Sequence, residues 1–537
     1  MHKFFSCFTV KNITLFLFFI CLGGGLSLFL GQDVCFDLQN YHLYIPYAFL
    51  HGRMGTDIIP AGALHTFFNP LLDVPSFLLF SYLNNWPLLT GFLMGGLYGL
   101  FLFVLWKTLG FFFGGDTREE KWLRVAVLCL AGTGIASLSQ IGRFTNEMQT
   151  AVIGMIACWF LCKSAFEEHS GVKYAFAAVF AASLAAGMKY TAGPVAVGIC
   201  FTALVLFWQE KRTWKAYVGL AVFAAFGFLL ADGWFLWKKW TVLGNPLFPY
   251  FNHIFKSPYF PVLSLPNGFA TPHGLKEWLF LPFLRFNFPI LEYHLDFRLV
   301  LGMVSFWGLF LVHLIRRKAV WTKAETLCLC LFAGSYIPWV LLFGNMRYVI
   351  CLEAFSSVLF VLLIRRFISV RIALVAVLIV WGAVLRPFPT FLRQPFPDKN
   401  ISFSAPVSIP DGAFVVVAGH ISFLIPFLNP NARYAGGVYF QPEKFPLAPP
   451  EELAKFNWLQ PNDYKHYFAE SARNAIAQHQ GPVYILAPAT RWMWEDSLWA
   501  EYGVKVPHSG RKCRFFHVSL DVIYDGFVVC KAEKVGD

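Results

Sequence analysis

Residues 12–31 read NITLFLFFICLGGGLSLFLG and are followed at once by Gln32-Asp33-Val34-Cys35-Phe36-Asp37. The first part is an unbroken apolar run of the length a helix needs to cross a hydrocarbon core of roughly 30 Å, and the second drops abruptly to two carboxylates. The same alternation recurs, with further apolar runs at residues 86–106, 123–141, 148–163, 174–190, 191–208, 215–236, 298–315, 326–343, 348–365 and 370–386. Of the whole chain 57% is hydrophobic and 14% charged, against roughly 25% charged in soluble domains, so a water-soluble globular fold is excluded. The sequence predicts an all-α polytopic membrane protein of about eleven transmembrane helices. Its first run lacks a small-residue cleavage site and exceeds a signal-peptide core, which predicts a retained anchor with Lys3 and Lys11 in the cytoplasm.

Threading the runs alternately from that start places eighteen Lys and Arg in the inner segments and only Arg53, Arg143, Lys189 and Arg347 in the short outer segments. The asymmetry explains the net charge of +12 as membrane orientation, not as nucleic-acid binding. Residues 70–83 read as a re-entrant or interfacial helix, or as a further span that would invert everything downstream. Three long segments, 32–85, 238–297 and 387–537, then share the outer face. The expected organisation is a transmembrane domain over residues 1–386 and a small extracytoplasmic α/β domain over 387–537. In the latter, β-type runs lie at 413–418, 483–487, 515–518 and 527–530, and a helical pattern at 490–502. A hairpin opposing Val518 to Asp525 also opposes Cys513 to Cys530, which predicts a disulfide in an oxidising compartment. The other cysteines sit in or near apolar runs, without metal-binding spacing. The Walker, Rossmann and HExxH motifs are all missing from the sequence.

Chemistry-bearing residues cluster at the outer ends of the runs. Asp33, Asp37, Tyr41 and His42 follow the first run directly. A carboxylate held against the membrane surface is partly desolvated, which raises its basicity and suits it to accept a proton from a hydroxyl. On a helix, Asp33 and Asp37 share a face, as do Asp37 and Tyr41. Further outward links carry Arg143 beside Glu147, Lys189 in Gly187-Met188-Lys189-Tyr190-Thr191, and Arg347-Tyr348 after Gly344-Asn345-Met346. Several cations around one carboxylate suit a lipid-linked phosphate. Glu353, inside an apolar run, needs a partner, and Arg347 or Lys189 is expected to supply it.

Asp37-Leu38-Gln39-Asn40-Tyr41-His42-Leu43, placed just after the first run, resembles the first-loop signature of the GT-C superfamily. Its members are polytopic glycosyltransferases that use polyprenyl-phosphate sugars, among them the bacterial protein O-mannosyltransferases and aminoarabinose transferases. Gly187-Met188-Lys189-Tyr190-Thr191, Gly244-Asn245-Pro246-Leu247-Phe248-Pro249 and Arg347-Tyr348 also resemble segments of that superfamily, over roughly residues 12–386. The chain departs from the pattern in lacking an adjacent acidic pair and a proline close after Arg347-Tyr348. The resemblance implies that Asp37 acts at the catalytic centre, with Asp33 as the fallback.

The expected activity is transfer of a sugar from a polyprenyl phosphate to an acceptor hydroxyl of a glycan, lipid or protein at the extracytoplasmic face of a bacterial inner membrane. Asp37 would take the proton, and Lys189, Arg347 and, more weakly, Arg143 would hold the departing phosphate. Tyr41, His42, Tyr348 and Glu353 would support them, with Asn245, Trp240, Asn252 and Trp278 in an acceptor cleft. Asp33 and Asp37 could bind Mg²⁺ or Mn²⁺, but the sequence requires no cofactor. Rival readings are a transporter or flippase of lipid-linked sugars, a noncatalytic membrane assembly protein, and an O-antigen-ligase-like transferase that would use a different outer loop.

Overall fold

The computed structural model describes residues 10–58, 61, 65–167, 171–258, 262, 272, 274–284, 296–315, 321–385, 392–438, 462–489, 499–506, 513–522 and 524–535. Helices α1 (Val10–Leu30) and α2 (Pro87–Leu109) meet through glycines. A Cβ on Gly23, Gly95 or Gly99 would collide with backbone of the opposing helix, so only glycine permits this approach. Helix α3 (Arg118–Gly132) starts on Thr117, whose side chain accepts the Glu120 N–H, and the short α4 (Ile135–Ser139) follows it. The set continues with α5 (Glu147–Phe166), α6 (Gly171–Met188), α7 (Gly193–Gln209) and α8 (Trp214–Leu243). It closes with α9 (Phe297–Ile315), α10 (Lys323–Leu342), α11 (Ile350–Ile364) and α12 (Val370–Val384). Among the described residues, eight helices are long and apolar enough to cross a membrane, and α11 and α12 are shorter apolar helices.

The run at 123–141 is not the single helix that hydropathy suggests. It breaks between α3 and α4 because carboxylates cap the second piece. Asp296 Oδ2 accepts the Ile135 N–H at 2.7 Å and Glu353 Oε1 the Ala136 N–H at 3.2 Å. Gly134 lies against the Glu353 carboxylate, where any Cβ would overlap it.

The chain divides into two compact units, the first formed by Met1–Phe29, Phe92–Gly233 and Pro266–Thr390, the second by Leu30–Gly91, Trp234–Leu265 and Phe391–Asp537. In the first unit the helix ends sort into two sets. One is basic and tied together by polar contacts: Lys107 to Asn12, Lys323 to the Ala165 carbonyl, Arg366 to Glu325 and Arg371 to Glu119. The other set carries Glu147, Lys189 and Arg347, at the start of α5, the end of α6 and just before α11.

The second unit gathers three sequence segments around a mixed sheet. Strand β1 (Gln32–Asp33) pairs antiparallel with β2 (Arg393–Gln394). The main sheet places β3 (Phe414–Ala418) between β4 (Arg433–Val438) and β5 (Val483–Pro488), parallel to both. Strand β8 (Phe527–Lys534) runs antiparallel to β5 and pairs with β6 (Val504–Lys505) and β7 (Cys513–Phe516). In the β7–β8 register Cys513 opposes Cys530, and the two form a disulfide. Helix α13 (Asn462–Gln478) and β4 carried no expectation from sequence. The expected helical pattern at 490–502 falls largely outside the described residues.

The first loop is sewn into this sheet. Asp57 accepts the Tyr434 N–H at 3.0 Å, Arg53 pairs with Asp57 at 2.6 Å and donates to the Pro430 and Ala432 carbonyls, and Lys238 Nζ donates to the Met54 carbonyl at 3.1 Å. Burial and the Asp57 carboxylate hold the Tyr44 hydroxyl, which donates to Asp57 at 2.9 Å, well above the usual phenol range. Within residues 70–83 the helix is Asp73–Tyr82, ten residues long. At 1.5 Å per residue that is about 15 Å, half of a hydrocarbon core.

Candidate functional site

The residues singled out in the sequence divide between the units. Arg143, Lys189, Arg347, Tyr348 and Glu353 belong to the first, and Asp33, Asp37, Tyr41, His42 and Asn245 to the second.

In the first unit, α6 ends at Met188 and the backbone turns through Lys189 into a 3-10 turn, Tyr190–Ala192. Lys189 Nζ donates to Glu147 Oε1 at 2.8 Å and to the Thr145 carbonyl at 2.5 Å. Arg347 stands in a second 3-10 turn, Met346–Tyr348, whose cap is the Asn345 side chain accepting the Arg347 N–H. Its Nε lies 3.5 Å from the same Glu147 oxygen, and its guanidinium lies over the Tyr348 ring, 5.4 Å from the centroid. Two cations thus converge on one carboxylate at the first turn of α5. Beside α6, Tyr190 donates to Asp232 at 2.5 Å.

Glu147 and Arg347 of this triad line a narrow, partly open cavity with room for about one water molecule. Besides Glu147, Arg347 and Tyr348, its walls are mainly small or apolar: Ala151, Gly154, Ala182, Ala185, Val195 and Cys351 among them. The arrangement is amphipathic, with charge at one part of the wall and hydrocarbon over the rest. Arg143 is nearly fully buried in the link before α5, so it does not simply extend to water from a helix end.

Glu353 does not use Arg347 or Lys189, contrary to the expectation from sequence. Its carboxylate is spent on the Ala136 and Ser137 N–H groups of α4, next to Asp296, which pairs with Arg298 at 2.7 Å. Arg298 Nε also donates to the Leu130 carbonyl at 2.6 Å, and all three side chains are wholly buried. The physical reason is reach: Lys189 and Arg347 are already drawn to Glu147, while free N–H groups at a helix start need an acceptor at once. Glu353 therefore fixes the fold around the α3–α4 break and does not line the cavity.

In the second unit, access separates the two aspartates. Between Gln32 and Ala48, Phe36 and Asp37 are half-buried and every other residue is buried. Asp33 is 1% exposed in β1, and its carboxylate accepts the Cys35 N–H at 3.1 Å and lies 3.5 Å from Cys35 Sγ. Because Asp33 is in a strand, the shared helical face expected for Asp33 and Asp37 does not exist.

Asp37 leads into a π-helical turn, Leu38–His42, which aligns positions five apart instead of four. Such turns concentrate at functional sites. The expected Asp37–Tyr41 alignment is displaced accordingly. His42 is buried and its Nδ1 lies 2.6 Å from Asp73 Oδ1, while Tyr41 stacks on His65 with centroids 4.5 Å apart. Asn245 is not an open cleft residue. Its amide donates to the Tyr250 carbonyl and Asn252 Oδ1 and its oxygen accepts the Leu247 N–H, so it folds its own loop. Asn252 does the same with Ser257. Trp240 is half exposed against Phe255, and the Trp278 side chain lies outside the described residues.

Sequence reasoning passed over His420, which follows β3. Its Nδ1 lies 3.3 Å from Asn40 Oδ1, and its ring meets Phe36 edge to face with centroids 4.5 Å apart. Desolvation by its surroundings and the neighbouring His65 hold its pKa down to about 3, so it stays neutral at physiological pH. A single histidine after an apolar strand gave no signal, because its partners are nearly four hundred residues away. Among the described residues, no group of three His, Cys, Asp or Glu side chains is placed to hold a metal ion. No protein-family model, curated protein or solved structure matches the chain.

Proposed function

We propose that the protein is a membrane glycosyltransferase that uses a polyprenyl-phosphate sugar, and the observation that carries this is the cavity of the first unit. Lys189 and Arg347 supply two donors for a phosphate, and the small and apolar walls of the narrow cavity would meet the first isoprene groups of a lipid carrier once the helices part to admit it. Glu147 holds the cations in place until the phosphate arrives. Asp37, the accessible acid of the first loop, accepts the proton of the acceptor hydroxyl. That oxygen then bonds to the anomeric carbon, the bond from this carbon to the phosphate oxygen breaks, and the phosphate leaves with the electron pair. Inversion at the anomeric carbon follows from a single displacement.

Parity supports the membrane arrangement. Segments 30–91, 234–265 and 391–537 cluster as one compact unit; if that unit lies on one side of the bilayer, the chain between them crosses it an even number of times. Between the first two segments run α2, the α3–α4 pair, α5, α6, α7 and α8. Between the last two run α9, α10, α11 and α12. The second group is even when the ten-residue Leu275–Leu284 helix is not counted as a crossing, the first is even when the broken α3–α4 pair counts as one, and with α1 the described residues would then give eleven. In this reading the basic helix ends face the cytoplasm, and an extracytoplasmic tail would agree with its disulfide.

The test is reconstitution with a polyprenyl-phosphate hexose in vesicles and detection of a covalent glycoside. Wild type is expected to form it, and Asp37→Asn to fold normally and form none. Movement of the lipid-linked sugar across the bilayer without covalent product would replace this reading with the flippase.

A further inference from the structure

The carboxyl ends of β3 and β5 mark a switch point of the tail sheet. β3 sends its connection towards β4 on one side, whereas β5 borders β8 on the other. In open α/β sheets such a point leaves a crevice at the strand ends, where ligands bind. Gly419 turns the chain there with φ +85°, and a Cβ at this residue would reach the Pro488 ring and the Tyr524 hydroxyl.

The first loop packs against these strand ends. Gln39 donates to the Leu520 carbonyl at 2.9 Å, and Ser422 donates to the Asn40 carbonyl. His420 bridges to Asn40 and Phe36, and His65 is close enough for its charge to depress His420. Phe36, Asp37, His65 and His420 are all half-buried and so keep some accessible surface, while the adjoining π-helical turn is buried. The rings of Phe36 and His420, close in sequence or space to the Asp37 carboxyl, are of the kind that stacks on the C–H faces of a pyranose while a carboxylate meets its hydroxyls.

We propose that the first loop and the carboxyl end of the tail sheet form a single carbohydrate subsite, in which Phe36 and His420 seat a pyranose ring beside Asp37. This deepens the glycosyltransferase reading and rests on it for the role of the ring in the reaction. His420 is a positioning residue here, contributed by a segment nearly four hundred residues downstream of the loop it serves. The tail is then part of the binding machinery and not an appended module.

Saturation-transfer NMR on the full-length protein in nanodiscs, with a panel of methyl hexopyranosides as probes, tests this without any turnover. Wild type is expected to bind at least one of them. Phe36→Leu, which keeps the apolar volume and loses the ring, and His420→Ala are expected to weaken that binding about tenfold. Phe36→Trp should retain it, and unchanged thermal midpoints in all three variants would separate a lost contact from a lost fold. A probe displaced by added polyprenyl-phosphate hexose assigns the subsite to the donor sugar, and a probe retained alongside it assigns the acceptor sugar. The inference is overturned if no glycoside binds wild type, or if Phe36→Leu and His420→Ala bind it as wild type does. Glycoside formation in vesicles with normal KM in both variants would sink the subsite and leave the transferase standing. Sugar binding lost in both, without transfer from any prenyl phosphate, would do the reverse.

Discussion

Glu147 and Glu353 hold nearly the same place in two helices. Each stands in the first turn of an apolar helix of the first unit, and each is almost wholly buried. Glu147 meets two long side chains, from Lys189 and Arg347, and lines a cavity. Glu353 meets the backbone N–H groups of α4 and is packed against Gly134, beside Asp296 and Arg298. Backbone donors cannot turn away, whereas lysine and arginine stems can swing to another anion. The first carboxylate is exchangeable and suits binding; the second is fixed and suits architecture.

The largest effect expected from this contrast is on stability. Glu353→Ala leaves the Ala136 and Ser137 N–H groups of α4 short of an acceptor in an apolar interior and should cost about 2–5 kcal/mol. Thermal unfolding in detergent should show a much smaller loss for Glu147→Ala, and equal losses would erase the distinction. Next comes Gly134→Ala, whose methyl must displace the Glu353 carboxylate, at about 1–3 kcal/mol in the same assay. Its insensitivity would mean that the helix break does not depend on that packing.

On binding, the order reverses. Lys189→Ala and Arg347→Ala should each weaken polyprenyl-phosphate affinity about 10-fold or more, the worth of one charge-assisted hydrogen bond. Titration of the lipid phosphate into nanodisc-held protein measures this, and Glu147→Gln should bind more tightly because the resident anion is gone. A Glu353→Gln variant that still folds should titrate like wild type. The smallest effect belongs to Arg371→Ala, which breaks a solvent-facing pair with Glu119 and should leave the unfolding midpoint unmoved.

How much of this was legible in sequence depends on the range of the cause. Apolar runs mark helices because burying or bathing a helix in lipid is decided residue by residue, so α1, α2 and α5 to α12 lie close to their expected bounds. The Cys513–Cys530 pair was legible for the same reason, being set by a hairpin only seventeen residues apart in sequence. The α3–α4 break was not, since the acceptors that cap α4 come from Asp296 and Glu353, far along the chain. Strand β4 was hidden by Gly436 and Gly437, which carry no strand signal.

At the candidate site the division is the same. Sequence selected the right kinds of residue at the helix ends, Lys189 and Arg347 among them, but gave Glu353 the partners that Glu147 holds. It offered Asp33 and Asp37 on equal helical terms, and only the β1–β2 pairing, which buries Asp33, separates them. Composition and periodicity alone determined that this chain is a bundle of apolar helices with polar material between them, because partition into lipid sums over short windows. Which carboxylate keeps its access, which cation it meets, and that His420 stands against Phe36 were decided by the tertiary structure, because each needs groups hundreds of residues apart to arrive within a few ångströms.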